Sequence, residues 1–162
     1  MAGGGAGLAV GERFHRALAG VPRPSALLEA RTDGWARADR VAWGELEAGR
    51  FAALPEVARL LAACRPVGGV SQLVHGDLSG NVLFADGVAP AVIDFSPYWR
   101  PPAYASAIVL SDAVVWHGAP LEPLADGQFL VRALLFRLLS ERDPAAAAAA
   151  YRPAVEYACR LT

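Results

Sequence analysis

Apolar residues at Leu8, Val10, Phe14, Ala17 and Leu18 follow helical spacing and predict a first helix over Leu8–Leu18. Gly20 and Pro22 end it, Pro22–Ser25 reads as a loop, and Asp33-Gly34 marks a turn. Helical patterns resume over Trp35–Trp43 and Leu54–Cys64; Pro55 sits in the first turn of the latter, where its missing N–H has no partner to lose. After the break Arg65-Pro66-Val67-Gly68-Gly69 the pattern changes. Gln72–His75, Asn81–Phe84 and Ala91–Phe95 are short apolar runs that read as strands, with Asp86-Gly87 as a hairpin-type turn between the last two. Beyond Pro101-Pro102 the chain returns to helix. Tyr104–Trp116 is apolar nearly all round, and Phe129–Leu139 is so except for Arg132 and Arg137, so both predict buried helices. Ala145–Leu161, after Pro144, is a last Ala-rich helix. The pattern predicts an α+β, mostly α fold with one small β-ribbon among helices. Residues 1–7, rich in glycine and without a lysine or a preceding strand, are expected to form a flexible N-terminal tail rather than a phosphate loop.

Composition narrows the class. The 162 residues are 54% hydrophobic and 19% charged, which fits one globular domain with a real core. A net charge of −1 and scattered arginines give no footprint for nucleic acid. No basic, apolar leader opens the chain and no run of about twenty apolar residues is present, so the expectation is a cytoplasmic protein that does not engage a membrane. Tyr104–Trp116 comes nearest to such a run but is short and carries Asp112. Cys64 and Cys159 lack metal-ligand spacing and read as reduced core residues. All fifteen basic residues are arginine; with the abundant Ala, Gly and Pro, this suggests a GC-rich bacterial genome.

The chemistry concentrates in His75-Gly76-Asp77-Leu78-Ser79-Gly80-Asn81 and Val92-Ile93-Asp94-Phe95. Asp77 follows an apolar run at a glycine that permits a sharp turn, where a carboxylate could take a proton from a substrate hydroxyl. Asn81 and Asp94 add hard oxygen donors suited to Mg²⁺. Asp94 stands between Ile93 and Phe95, so those neighbours are expected inside and Asp94 in a cleft. Each fragment alone is ordinary turn or strand sequence; the three together, in this order, suit phosphoryl transfer. A metal-dependent hydrolase on Asp77, Asp94 and His75 is a weaker reading, because it offers one histidine and no second metal cluster. His15 and His117 are isolated and read as core or solvated residues. The tryptophans read as core or interlobe packing, and Arg132 and Arg137 as snorkelling or pairing with acids rather than binding a ligand. A lesser reading of Trp99-Arg100 is an acceptor wall in which Arg100 would meet an anionic group.

These segments resemble the catalytic and metal-binding segments of the aminoglycoside phosphotransferase and choline kinase-like group within the protein-kinase-like fold, nearest to an actinobacterial branch with this motif form. The resemblance implies that residues 8–162 form the C-terminal lobe of that fold, with the β-ribbon carrying the catalytic and metal loops. It implies Asp77 as catalytic base, His75 as the histidine that packs the catalytic loop, and Asn81 and Asp94 as ligands of Mg²⁺ and through it of ATP. It also implies a small-molecule hydroxyl as acceptor. The sequence departs from the group in three ways. The step from Asp77 to Asn81 is one residue shorter than usual. Tyr104-Ala105-Ser106-Ala107 stands where a Tyr-Asp-Leu-Ala-like segment is usual, with Asp112 a candidate substitute for its acid. And the N-terminal lobe, which supplies the phosphate-binding lysine, reads as absent. The expectation is therefore a phosphotransferase whose turnover is impaired in this chain, as a truncated product or a start assigned too late. The alternative is a non-catalytic remnant that binds another polypeptide, or the missing lobe, through its exposed interlobe face.

Overall fold

In a computed structural model, which describes residues 3–120 and 126–162, the chain folds as seven helices and four short strands among the described residues. The helices are α1 (Gly3–Leu18), α2 (Ser25–Glu29), α3 (Gly34–Ala42), α4 (Pro55–Ala63), α5 (Pro102–His117), α6 (Gly127–Ser140) and α7 (Pro144–Arg160). The strands are β1 (Gln72–His75), β2 (Val82–Leu83), β3 (Ala91–Val92) and β4 (Pro97–Arg100), and a 3-10 turn covers Gly49–Ala53.

Helix α6 is the axis of the core, packed by α3, α4, α5 and α7. Every residue from Phe129 to Leu138 is buried, Arg132 and Arg137 included. That accounts for its all-round apolar pattern. Helices α3, α6 and α7 start where acids satisfy free N–H groups: Asp33 accepts from Ala36 at 2.9 Å to cap α3, and Asp126 and Asp143 cap α6 and α7. No helix among the described residues is long and apolar enough to cross a membrane.

The sheet differs from the single ribbon expected. β1 pairs antiparallel with β4, His75 opposite Pro97, while β2 and β3 form a separate two-stranded ladder with Val82 opposite Val92. Strand β4 was hidden because Pro97 opens it; a proline is tolerated only where the ladder does not need its N–H. Helix α1 begins at Gly3, so most of the segment expected as a tail is helical; once Leu8–Leu18 has formed a helix, adding residues costs far less than nucleating one. The expected loop at Pro22–Ser25 runs into the short helix α2.

Candidate active site

His75 ends β1 and organises the loop after it. Its ring is fully buried, and its Nδ1 accepts from the Asp77 backbone N–H at 3.0 Å. Burial pushes its pKa down. The ring is then neutral, so Nε2 carries the proton and donates to the Ile93 carbonyl at 3.1 Å. One imidazole thereby ties the loop of Asp77 to the residue before Asp94. The His75 N–H donates to Nε2 of His15 on α1 at 3.1 Å. His15 is buried too, and burial lowers its pKa to about 4. Phe14 packs edge-on against His75 and Phe95 beneath the loop.

Gly76 serves a different purpose from the one its sequence suggests. Its φ is not positive; a Cβ there would run into the ring of buried Tyr98 on β4. It is the close approach of β1 to β4 that requires glycine.

The shortened step to Asn81 closes as a turn in which the Asn81 N–H donates to the Leu78 carbonyl at 3.0 Å. Gly80 supplies the positive φ, +80°, at its third position. Leu78 is buried against Gly11 of α1, which anchors the loop from below. The turn brings the Asn81 amide onto Asp77: Nδ2 donates to the Asp77 carbonyl at 2.7 Å and to its Oδ2 at 3.3 Å. With NH₂ spent in this way, Oδ1 is left for a cation.

Asp94 lines the same cleft as Asp77, a space of about 360 Å³ shared with Arg31, Trp35, Gly76 and Tyr98. It is the only non-glycine residue with positive φ (48°) among the described residues. Such backbone costs an L residue about 1 kcal/mol, Asp tolerating it better than most. Its carboxylate has neither a hydrogen bond nor an ion pair with the described residues. The expected burial of its neighbours fails: Ile93 and Phe95 are both exposed. The ladder stops at Val92, and the turned backbone at Asp94 destroys the alternation that would have put one of them inside.

Asp77 is held from below by a residue sixty positions away. Nη2 of Arg137 on α6 donates to Asp77 Oδ1 at 2.8 Å and to Asp112 Oδ2 at 2.6 Å. The Arg137 and Asp112 side chains are each 1% exposed, that of Asp77 39%. Burial works against the arginine's charge, but Asp112 and then Asp77 outweigh it and keep its pKa above the ordinary value. Trp35 and Trp116 flank the guanidinium at 5.6 and 5.3 Å, and both are exposed, so neither is a core residue. Asp112 thus braces the loop through Arg137, from a different place on α5 than the Tyr104–Ala107 segment. The sequence pairs neither acid with Arg137; buried charges on two largely apolar helices, Asp112 and Arg137, were the signal.

The oxygen donors fit a hard divalent cation: one free carboxylate, one half-exposed carboxylate and one amide oxygen with its nitrogen engaged elsewhere. Among the described residues no group of three or more His, Cys, Asp or Glu gathers as a metal cluster, so a cation here would depend on Asn81 and on ligand oxygens. Arg100, for which contact with an anionic group is the lesser reading, is closed onto Asp39 at 2.7 Å and Glu45.

Two carboxylates line one cleft, with an amide hydrogen-bonded beside it, on a mostly helical scaffold. The sequence profile of the phosphotransferase enzyme family matches residues 8–137, and the chain belongs to that family. No curated protein and no solved structure matches it.

Proposed function

We propose that Asp77, Asn81 and Asp94 form the acceptor and metal half of a site that phosphorylates a small-molecule hydroxyl from ATP. The observation that carries the reading is the shared cleft: Asp77 and Asp94 line it together, and Asn81 is hydrogen-bonded to Asp77 beside it. Asp77 accepts the proton of the acceptor hydroxyl as that oxygen bonds to the γ-phosphorus. The bond from the γ-phosphorus to its bridging oxygen breaks, and ADP leaves with those electrons. Asn81 Oδ1 and Asp94 hold Mg²⁺, which neutralises charge on the phosphates when bound. His75 keeps the two loops in register throughout, because its two ring nitrogens are committed one to each. The chain has no lysine, so the reading requires a phosphate-clamping cation from outside these residues or from an arginine.

Mn²⁺, a paramagnetic stand-in for Mg²⁺, tests the metal half directly. It should broaden the amide signals of Asn81 and Asp94 first in an NMR titration, and Asp94→Asn should weaken that effect about tenfold or more. Broadening that ignores the substitution would sink the metal assignment. In a form of the protein that turns over, Asp77→Asn should lower kcat by at least a hundredfold with nucleotide affinity nearly intact.

A second reading has its own observation. Leu83, Phe84, Val88, Ile93 and Phe95 are exposed on and around the β2–β3 hairpin, Phe84 at 55% and Val88 at 65%. A patch of this kind favours the binding of another polypeptide. On that reading Phe84→Ser abolishes association while Asp77→Asn leaves it untouched.

A further inference from the structure

A second cleft, about 390 Å³, opens between α2, α3 and β4. It shares Arg31, Pro97 and Tyr98 with the cleft of Asp77 and Asp94, so one wall serves both. Its size suits a small molecule. Four guanidinium groups line it: Arg23, Arg31, Arg40 and Arg100. They are not equivalent. Arg100 is closed on two carboxylates, Asp39 and Glu45. Arg31 is spent on Asp33 at 3.2 Å, the Pro97 carbonyl at 2.8 Å and the Tyr98 hydroxyl at 3.2 Å.

Arg40 is different. Its Nη2 donates to the carbonyls of Arg31 at 3.0 Å and Leu28 at 3.5 Å, and no described carboxylate pairs with it. Backbone oxygens fix the guanidinium in place without neutralising it, and leave Nε and Nη1 with no described protein partner. Arg23 meets only Glu29, at 4.0 Å, with both side chains more than half exposed, a contact of little worth. One wall therefore carries a pre-positioned cation and a loosely held one, while two of the three lining acids are already closed on Arg100.

We propose that this cleft seats the acceptor of the transfer reaction, and that the acceptor is an anion: a small hydroxy compound whose carboxylate or phosphate docks on Arg40 with its hydroxyl toward Asp77. The orientation toward Asp77 rests on the phosphotransfer reading; the anion site itself does not. A cationic acceptor would meet Arg40 and find only the loosely paired Glu29 carboxylate, whereas an oxyanion finds a guanidinium already held in place with N–H groups to spare.

The test is an NMR titration of the full chain with glycerol 3-phosphate, inorganic phosphate and choline. Both phosphates should shift amides near Arg31 and Arg40, with affinity falling as salt is added, and choline should not. Arg40→Gln should weaken glycerol 3-phosphate about tenfold to a hundredfold. Arg23→Gln should weaken it a few-fold, and Arg142→Gln, on an exposed turn, not at all. Arg23→Gln carries the test if Arg40→Gln loses its amide dispersion and so fails to fold. No phosphate binding, affinity within twofold of the parent in both cleft variants, or tighter choline would overturn the proposal. Asp77→Asn separates the two readings. Arg40-dependent phosphate binding should survive it; if a competent form carrying it also kept its turnover, the transfer reading would fall and the anion site would stand.

Discussion

Asp77 and Asp94 line one cleft, yet the ground beneath them differs. Asp77 rests on a buried arginine whose other partner is a second buried acid, and its loop is pinned to β1 by His75 and to α1 by Leu78. Asp94 follows a two-residue strand, stands on a backbone conformation that costs energy, and has no partner among the described residues. A general base gains from being held to one geometry. A cation ligand gains from keeping its charge unspent. Strain kept at a residue whose carboxylate has no hydrogen bond or ion pair among the described residues points to function rather than folding.

The sharpest way to break this contrast is at Arg137. Arg137→Ala leaves Asp112 buried and unpaired and should cost about 3–5 kcal/mol in urea unfolding. Asp77→Asn removes only the half-exposed partner and should stay within about 1 kcal/mol. Similar losses for both would erase the distinction between the two carboxylates.

Next in size is the acid response of the braced side. His15 titrates near 4 in the folded chain against an ordinary 6.5, so the unfolded chain takes up the proton first as pH falls. Stability should be fully present above pH 6.5 and drop by about 2 kcal/mol between pH 7 and pH 5. His15→Gln keeps an acceptor for the His75 N–H and should flatten that slope. An unchanged slope would place the acid sensitivity elsewhere.

The smallest effect belongs to the exposed side. Asp94→Gly should raise stability by roughly 0.5–1 kcal/mol through relief of the positive φ, seen as a higher Tm, while removing Mn²⁺ binding. A loss of stability would mean that the Asp94 carboxylate supports the fold after all.

Much of this was legible in the sequence, for local reasons. Helices α3 to α7 follow from apolar spacing or all-round apolar runs, with Pro55, Pro102 and Pro144 at or near three of their starts, whereas Asp33 and Asp126 are not read as caps in the sequence. The motif's short spacing made Asp77 and Asp94, which share a cleft, legible together, but not Arg31, Trp35 or Tyr98 in the same wall. What stayed hidden depends on distance along the chain or on exceptions to pattern. The Arg137–Asp77 contact joins residues in separate elements, and nothing periodic connects them. Strand β4 opens on a proline, and α2 is too short to show a period. Arg40 could not be told from Arg100 by sequence, because Asp39 and Glu45 close on Arg100 while Arg40 meets only backbone carbonyls.

The Arg137 contact also has an evolutionary consequence. Positions 77, 112 and 137 lie on three separate segments but share one charge balance, so they are not free to drift singly. Lysine at 137 would trade the planar fork for a point charge, and a neutral residue would strand Asp112 in the core. In a lineage that drops the arginine, the tolerated route is to lose Asp112 in the same step, so inheritance at these positions should be joint.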